Sequence, residues 1–156
     1  MKRFIKSKNK KGFTLIELMV TMAIVGILSM IAIPKYLNLK THVKITEAKA
    51  NIGAIRSCEE LYNNEFDMYV ACAANPTSNA SILNKRKQSW NYNQTDFTIL
   101  GFFPQGDVYY GYGVICISLS AYRVEAYGDV DDDDALVIYS LNQDGGEVRA
   151  STTTTY

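Results

Sequence analysis

One stretch limits what this chain can fold into: the apolar run from Phe13 to Ile33, closed by Pro34. At a helical rise of about 1.5 Å per residue, residues 13–33 reach roughly 30 Å, the thickness of a bilayer's hydrocarbon core. Thr14, Thr21, Gly26 and Ser29 interrupt the run mildly and suit a membrane helix, but Glu17 does not. A carboxylate inside a spanning helix costs about 2.5–3.5 kcal/mol on insertion scales, and such a residue generally has a function. No Lys, Arg or His lies between Phe13 and Pro34. The helix therefore brings no cation of its own. A positive charge has to come from another chain, or Glu17 has to stay protonated.

Upstream stand Lys2, Arg3, Lys6, Lys8, Lys10 and Lys11, with no acid among residues 1–12. Basic residues beside an apolar run hold that end in the cytoplasm. No small-x-small site follows the run, so this is not an ordinary secretory signal. A cut that keeps the apolar run on the mature protein falls before it, at Gly12. It would place a new ammonium on Phe13, four residues from Glu17. That ammonium is a candidate partner for Glu17, in its own chain or a neighbour's.

The segment Lys11-Gly12-Phe13-Thr14-Leu15-Ile16-Glu17 closely resembles the processing site of type IV pilins and of the related type II secretion pseudopilins. The resemblance covers about Lys10 to Tyr36. It implies a cut between Gly12 and Phe13 by a prepilin peptidase, which also N-methylates Phe13. It places Glu17 at the fifth mature position, and it matches Gly26 and Pro34 to the points where pilin N-terminal helices bend or loosen. Residues 1–12 then form a leader that is removed, and 13–33 the half of a long helix that spans the membrane or builds a filament core.

Removing the six basic leader residues leaves 10 Lys and Arg against 16 Asp and Glu, a net charge of −6 before the new terminus is counted. An acidic exported domain gives no warrant for a nucleic-acid surface. Cys58, Cys72 and Cys116 all follow the span, on the side facing an oxidising compartment. One disulfide among them leaves one cysteine over, and the sequence does not choose among the three pairings. The C-terminal disulfide common in pilins does not transfer, because no cysteine follows Cys116.

Beyond Pro34 the pattern is still helical. Ala48, Ile52, Ile55, Glu59, Tyr62 and Phe66 recur at spacings of three and four, with only Glu59 breaking the apolar stripe. Lys40, Lys44, Lys49 and Arg56 read as the solvated face, and Asn63-Asn64 as a fraying point. The helix is expected over about 13–62, with 34–64 as its amphipathic half. Residues 65–156 are expected to form a loop followed by an antiparallel sheet. The loop reaches to 105, with Trp90 and Phe97 tucking it onto the domain and Lys85-Arg86-Lys87 solvated. Strands are expected at Val108–Leu119, Ala121–Tyr127, Ala135–Leu141 and Glu147–Thr152; their short connections imply antiparallel neighbours. The fold class is α+β and pilin-like: a long N-terminal helix packed on three or four antiparallel strands.

The acidic run Asp129-Val-Asp131-Asp132-Asp133-Asp134 reads first as a solvated hairpin turn. The spacing of Asp129, Asp131 and Asp133 is that of the start of an EF-hand loop, which makes a calcium site the alternative. The sixth position is Asp134 rather than Gly and the twelfth is Ser140 rather than Glu, so the motif is incomplete. Some type II major pseudopilins bind calcium in such a loop. Otherwise no cofactor is expected. The single histidine, His42, has no catalytic companion, and no nucleophile–base pair or phosphate loop can be assembled, so an enzyme is not expected.

The leading expectation is a structural subunit of a type IV pilus, a homo-oligomeric helical filament in which the Phe13 ammonium of one subunit pairs with Glu17 of another. The resemblance implies as partners the prepilin peptidase and methylase, an inner-membrane platform protein, an assembly ATPase and a secretin, with twitching motility, adhesion or DNA uptake as uses. Before assembly the subunit would cross the inner membrane once, N-terminus in the cytoplasm; afterwards it would lie in a cell-surface pilus. A type II secretion pseudopilin is the first alternative, favoured by the acidic loop. The Tyr-rich middle and the long strands look more like a pilin. A monomeric membrane-anchored periplasmic binding protein is the second alternative.

Overall fold

In the computed structural model, residues 12–76, 86–118, 120–129, 136–145 and 148–153 are described. Residues up to Lys11, expected to be a leader, Lys85 and the carboxylates Asp131 to Asp134 lie outside them. The chain divides into two compact units, Met1–Leu39 and Lys40–Tyr156.

The helix α1 is Leu15–Phe66, with Pro34 inside it. Pro34 removes one backbone donor and does not end the helix. Asn63-Asn64 does not end it either. Termination comes at Asp67, whose φ of 55° is left-handed and whose N–H caps the Asn63 carbonyl at 2.9 Å. An aspartate tolerates that conformation better than most residues.

In the first unit, every large apolar side chain from Phe13 to Leu39 is more than half exposed. The most apolar 18-residue window of α1 has a mean hydropathy of 2.4, so the helix is long and apolar enough to cross a membrane.

The second unit joins the rest of α1 to a five-stranded antiparallel sheet. Its strands are β1 (Cys72–Asn75), β2 (Gly111–Ser118), β3 (Ala121–Gly128), β4 (Leu136–Asn142) and β5 (Arg149–Thr153), lying in sequence order across the sheet. A short helix α2 (Thr95–Leu100) stands between β1 and β2. The α+β class and the sheet on the helix are as expected. The additional strand is β1, which pairs with β2 through Cys72↔Val114 and Asn75↔Tyr112. Cys-Ala-Ala-Asn has little strand propensity of its own, so the neighbour decides its conformation.

Register explains the core. Val114 faces Val124, which faces Leu141, and Tyr112 faces Ala126, which faces Tyr139. These side chains share one pleat face and are buried. Against them lie Ala48, Ile52 and Ile55 of α1, each fully buried. The predicted stripe thus meets the sheet until Tyr62, half-buried; Phe66 is exposed and leans on Tyr62 at 4.5 Å between ring centroids. Lys44 departs from the expected solvated face. It is buried, its ammonium 5.1 Å from the centre of the Tyr109 ring, because a long stem can lie along an aromatic surface.

Polar ties reinforce the packing. The Asn51 amide donates to the Tyr112 hydroxyl at 2.9 Å and the Tyr122 hydroxyl to Glu60 at 2.9 Å. Arg56 donates to the Gln143 carbonyl at 3.0 Å, and the Tyr109 N–H to Glu47 at 2.8 Å. Trp90 and Phe97 do tuck their segment onto the domain, edge to face at 5.0 Å. Phe97 belongs to α2, which stops at Gly101 with φ 76° and the Phe102 N–H reaching back to the Phe97 carbonyl.

Candidate functional site

The candidate site is the start of α1. Gly12 is exposed, with nothing within 4 Å of where a Cβ would stand. Phe13 is exposed beside it. Thr14 and Glu17 form a reciprocal cap. The Thr14 N–H and hydroxyl both donate to Glu17 Oε2, at 2.8 and 2.7 Å, and the Glu17 N–H donates to Thr14 Oγ1 at 3.3 Å. This is a capping box: Thr14 satisfies a first-turn amide while Glu17 reaches back over the helix end. The negative side chain also lies where the helix dipole is positive.

The sequence reading overlooked Thr14. Its signal was present, since Thr-Leu-Ile-Glu is the capping-box spacing immediately before an apolar run. The helix supplies no cation for Glu17, but it does supply two donors. Phe13, Ile16, Glu17, Val20 and Thr21 line one open groove of about 310 Å³, so the Phe13 ring and the carboxylate share a face. An ammonium formed at Phe13 would start from the same turn as its candidate partner. Of the other helix positions singled out, Gly26 has open space around its Cα and Pro34 lies within α1.

Residues 7–33 match the family model described as the prokaryotic N-terminal methylation motif. The chain carries a prokaryotic N-terminal methylation motif. It is similar to type IV pilins and fimbrial proteins. It is 30% identical over 145 residues to the type IV major pilin protein PilA of Myxococcus xanthus, covering 78% of this chain and 54% of that protein. It is 45% identical over 53 residues to a fimbrial protein of Pseudomonas aeruginosa, covering 34% of each. It is also 31% identical over 90 residues to the type II secretion system core protein G of Pseudomonas aeruginosa, covering 53% of this chain and 63% of that protein. The match thus spans about half of the first relative and a third of the second. No solved structure matches the chain.

The remaining candidates lie in the second unit. Cys58 on α1 and Cys116 on β2 are half-buried, Cys72 on β1 is buried, and all three are free thiols. Burial, followed by the charge of Glu59, raises the pKa of each. The thiols therefore hold their protons and are poor nucleophiles. Asp129 is buried, against the expectation of a solvated turn, while Asp131 and Asp133 fall outside the described residues. Among the described residues no group of three or more His, Cys, Asp or Glu is arranged to hold a metal ion. His42 is exposed on α1.

Proposed function

We propose that this chain is the structural subunit of a type IV pilus filament. One observation carries the reading: an apolar helix exposed along residues 13–39 that begins with a methylation motif and a capped acid. That surface needs an apolar surrounding throughout its life. Lipid provides one before assembly, and the same surface of neighbouring subunits provides one afterwards. A head-to-tail contact of this kind propagates as a fibre. Cleavage after Gly12 converts the Phe13 amide into an ammonium. In the filament core that ammonium pairs with Glu17 of a neighbouring subunit and draws the carboxylate from Thr14. The attraction favours the register in which charges meet, in a low-dielectric setting where it is strongest. Gly26 and Pro34 let the helix lengthen locally where packing or tension requires it. The sheet unit then coats the fibre.

In this reading the partners are a prepilin peptidase and methylase, a membrane platform protein, an assembly ATPase and a secretin. The subunit waits as a single-pass inner-membrane protein with a cytoplasmic leader. The similarity to core protein G supports a second reading, a type II secretion pseudopilin. Mass measurement and N-terminal sequencing of protein sheared from cells separates the two. Abundant chains beginning at N-methylated Phe13 in the sheared fraction are expected. The same terminus confined to membranes would favour the pseudopilin, and a chain retaining residues 1–12 would overturn both.

A further inference from the structure

Glu59 is the residue that breaks the apolar stripe of α1, and it is fully buried. Its Oε2 accepts the Val70 N–H at 3.0 Å, and its Oε1 has no hydrogen-bond partner among the described residues. Val70 lies in the short joint between the end of α1 and β1. The carbonyl of the same residue accepts the Cys72 thiol at 3.8 Å. Next to it, Tyr69 packs on Tyr122 of β3 with ring centroids 4.5 Å apart. One side chain thus ties the departing chain back to the helix it has just left.

Among the described residues, the surroundings of that side chain hold no counter-charge. On α1 its neighbours are Cys58 and Glu60; Tyr69 faces it from the joint, Cys72 from β1 and Cys116 from β2. On β3 Tyr122 is bonded to Glu60, and on α2 Asp96 stands near Cys72. Arg56, one turn earlier on α1, directs its guanidinium to the Gln143 carbonyl. A carboxylate with one hydrogen bond among acids and thiols is costly to bury, and a neutral carboxyl costs far less.

We propose that Glu59 is a proton-controlled latch: protonated, it holds the Asp67–Ala71 joint on α1, and ionised, it releases that joint. Burial, with a smaller contribution from the charge of Glu60, raises its carboxyl from 4.5 to about 7, the Val70 N–H opposing them. A folded-state value above the unfolded one means that the latch stabilises fully below about pH 4.5, weakens as pH rises, and is spent above about 7. A filament subunit would then have its helix–sheet joint tightest in acid and loosest in alkali.

Hydrogen exchange at the Val70 amide tests this on the full chain in detergent micelles, with rates corrected for the intrinsic pH dependence. Protection is expected to fall by one to two orders of magnitude between pH 5 and 8. In Glu59→Gln, which is neutral at every pH and keeps an oxygen for the Val70 N–H, protection should be flat. The same decline in both proteins would overturn the proposal. Should the variant not fold, the carboxylic C=O infrared band of the wild type decides. It should persist at pH 6 and vanish by pH 8. A complete loss by pH 5 would sink the latch.

Discussion

Three groups of side chains illustrate how a residue's surroundings set its role. Thr14 makes Glu17 tolerable at the head of an apolar helix through two donors to one oxygen. Replacing a capping threonine costs about 0.5–2 kcal/mol of helix stability. Thr14→Val should therefore speed amide exchange in the first turn of α1 about tenfold in micelles, leaving the second unit's amides unchanged. Unchanged first-turn exchange would show that the cap contributes nothing. The thiols make a second test. Their raised pKa values leave little thiolate at pH 8, so iodoacetamide should label Cys58 and Cys116 slowly in the native protein and Cys72 least of all. Mass spectrometry would follow this, and equal rates with and without denaturant would refute the shielding. Glu59 departs furthest from its sequence appearance: a polar gap in a stripe turns out to be the most buried acid among the described residues.

At the scale of elements, α1 meets the sheet through a stripe of alternating three and four spacing, and the sheet answers with one face of three strands. The joints between elements are tight. A Cβ on Gly128, at the end of β3, would stand 2.6 Å from the Tyr110 ring, and that ring sits edge to face with Tyr139 at 5.8 Å. Gly128→Ala is expected to cost about 1–3 kcal/mol by forcing the ring aside, read as a lowered midpoint of denaturant unfolding. Ile52→Ala, at the centre of the stripe, should cost about 2–5 kcal/mol in the same assay. A loss below 1 kcal/mol at Ile52 would mean that the helix is not seated on the sheet in solution.

At the scale of the whole molecule, two units obey different rules. The second buries a core of apolar residues between its helix and its sheet, while the first displays its own along the whole helix, which is stable only against lipid or another copy. In the filament reading, Glu17→Ala removes the carboxylate that selects register without removing the apolar surface. The variant should therefore fractionate with membranes at wild-type levels, while sheared filament falls at least tenfold, a loss of about 1.4 kcal/mol or more per subunit added. Wild-type filament yield would exclude charge pairing as the guide to assembly.

The apolar run, the methylation motif and the amphipathic stripe were legible in the sequence because each is a one-dimensional pattern: an apolar length, a charge step at Gly12, a spacing of three and four. The central strands were legible for the same reason, as runs of Tyr, Val and Ile. The strand at Cys72–Asn75 was not, since its extended form comes from pairing with β2 rather than from its own residues. The end of α1 at Phe66, four residues past the expected one, depends on the backbone angle at Asp67, which no composition reports. The burial of Lys44 beside Tyr109 and of Glu59 beside Val70 joins positions 65 and 11 residues apart in sequence, respectively. Sequence by itself determined that this chain needs an apolar partner along its first helix, because exposure of so much apolar surface to water has no local remedy. Only the tertiary structure decided which polar groups lie in the dry interior, because burial is set by what other segments bring against a residue, not by the residue's own neighbours in the chain.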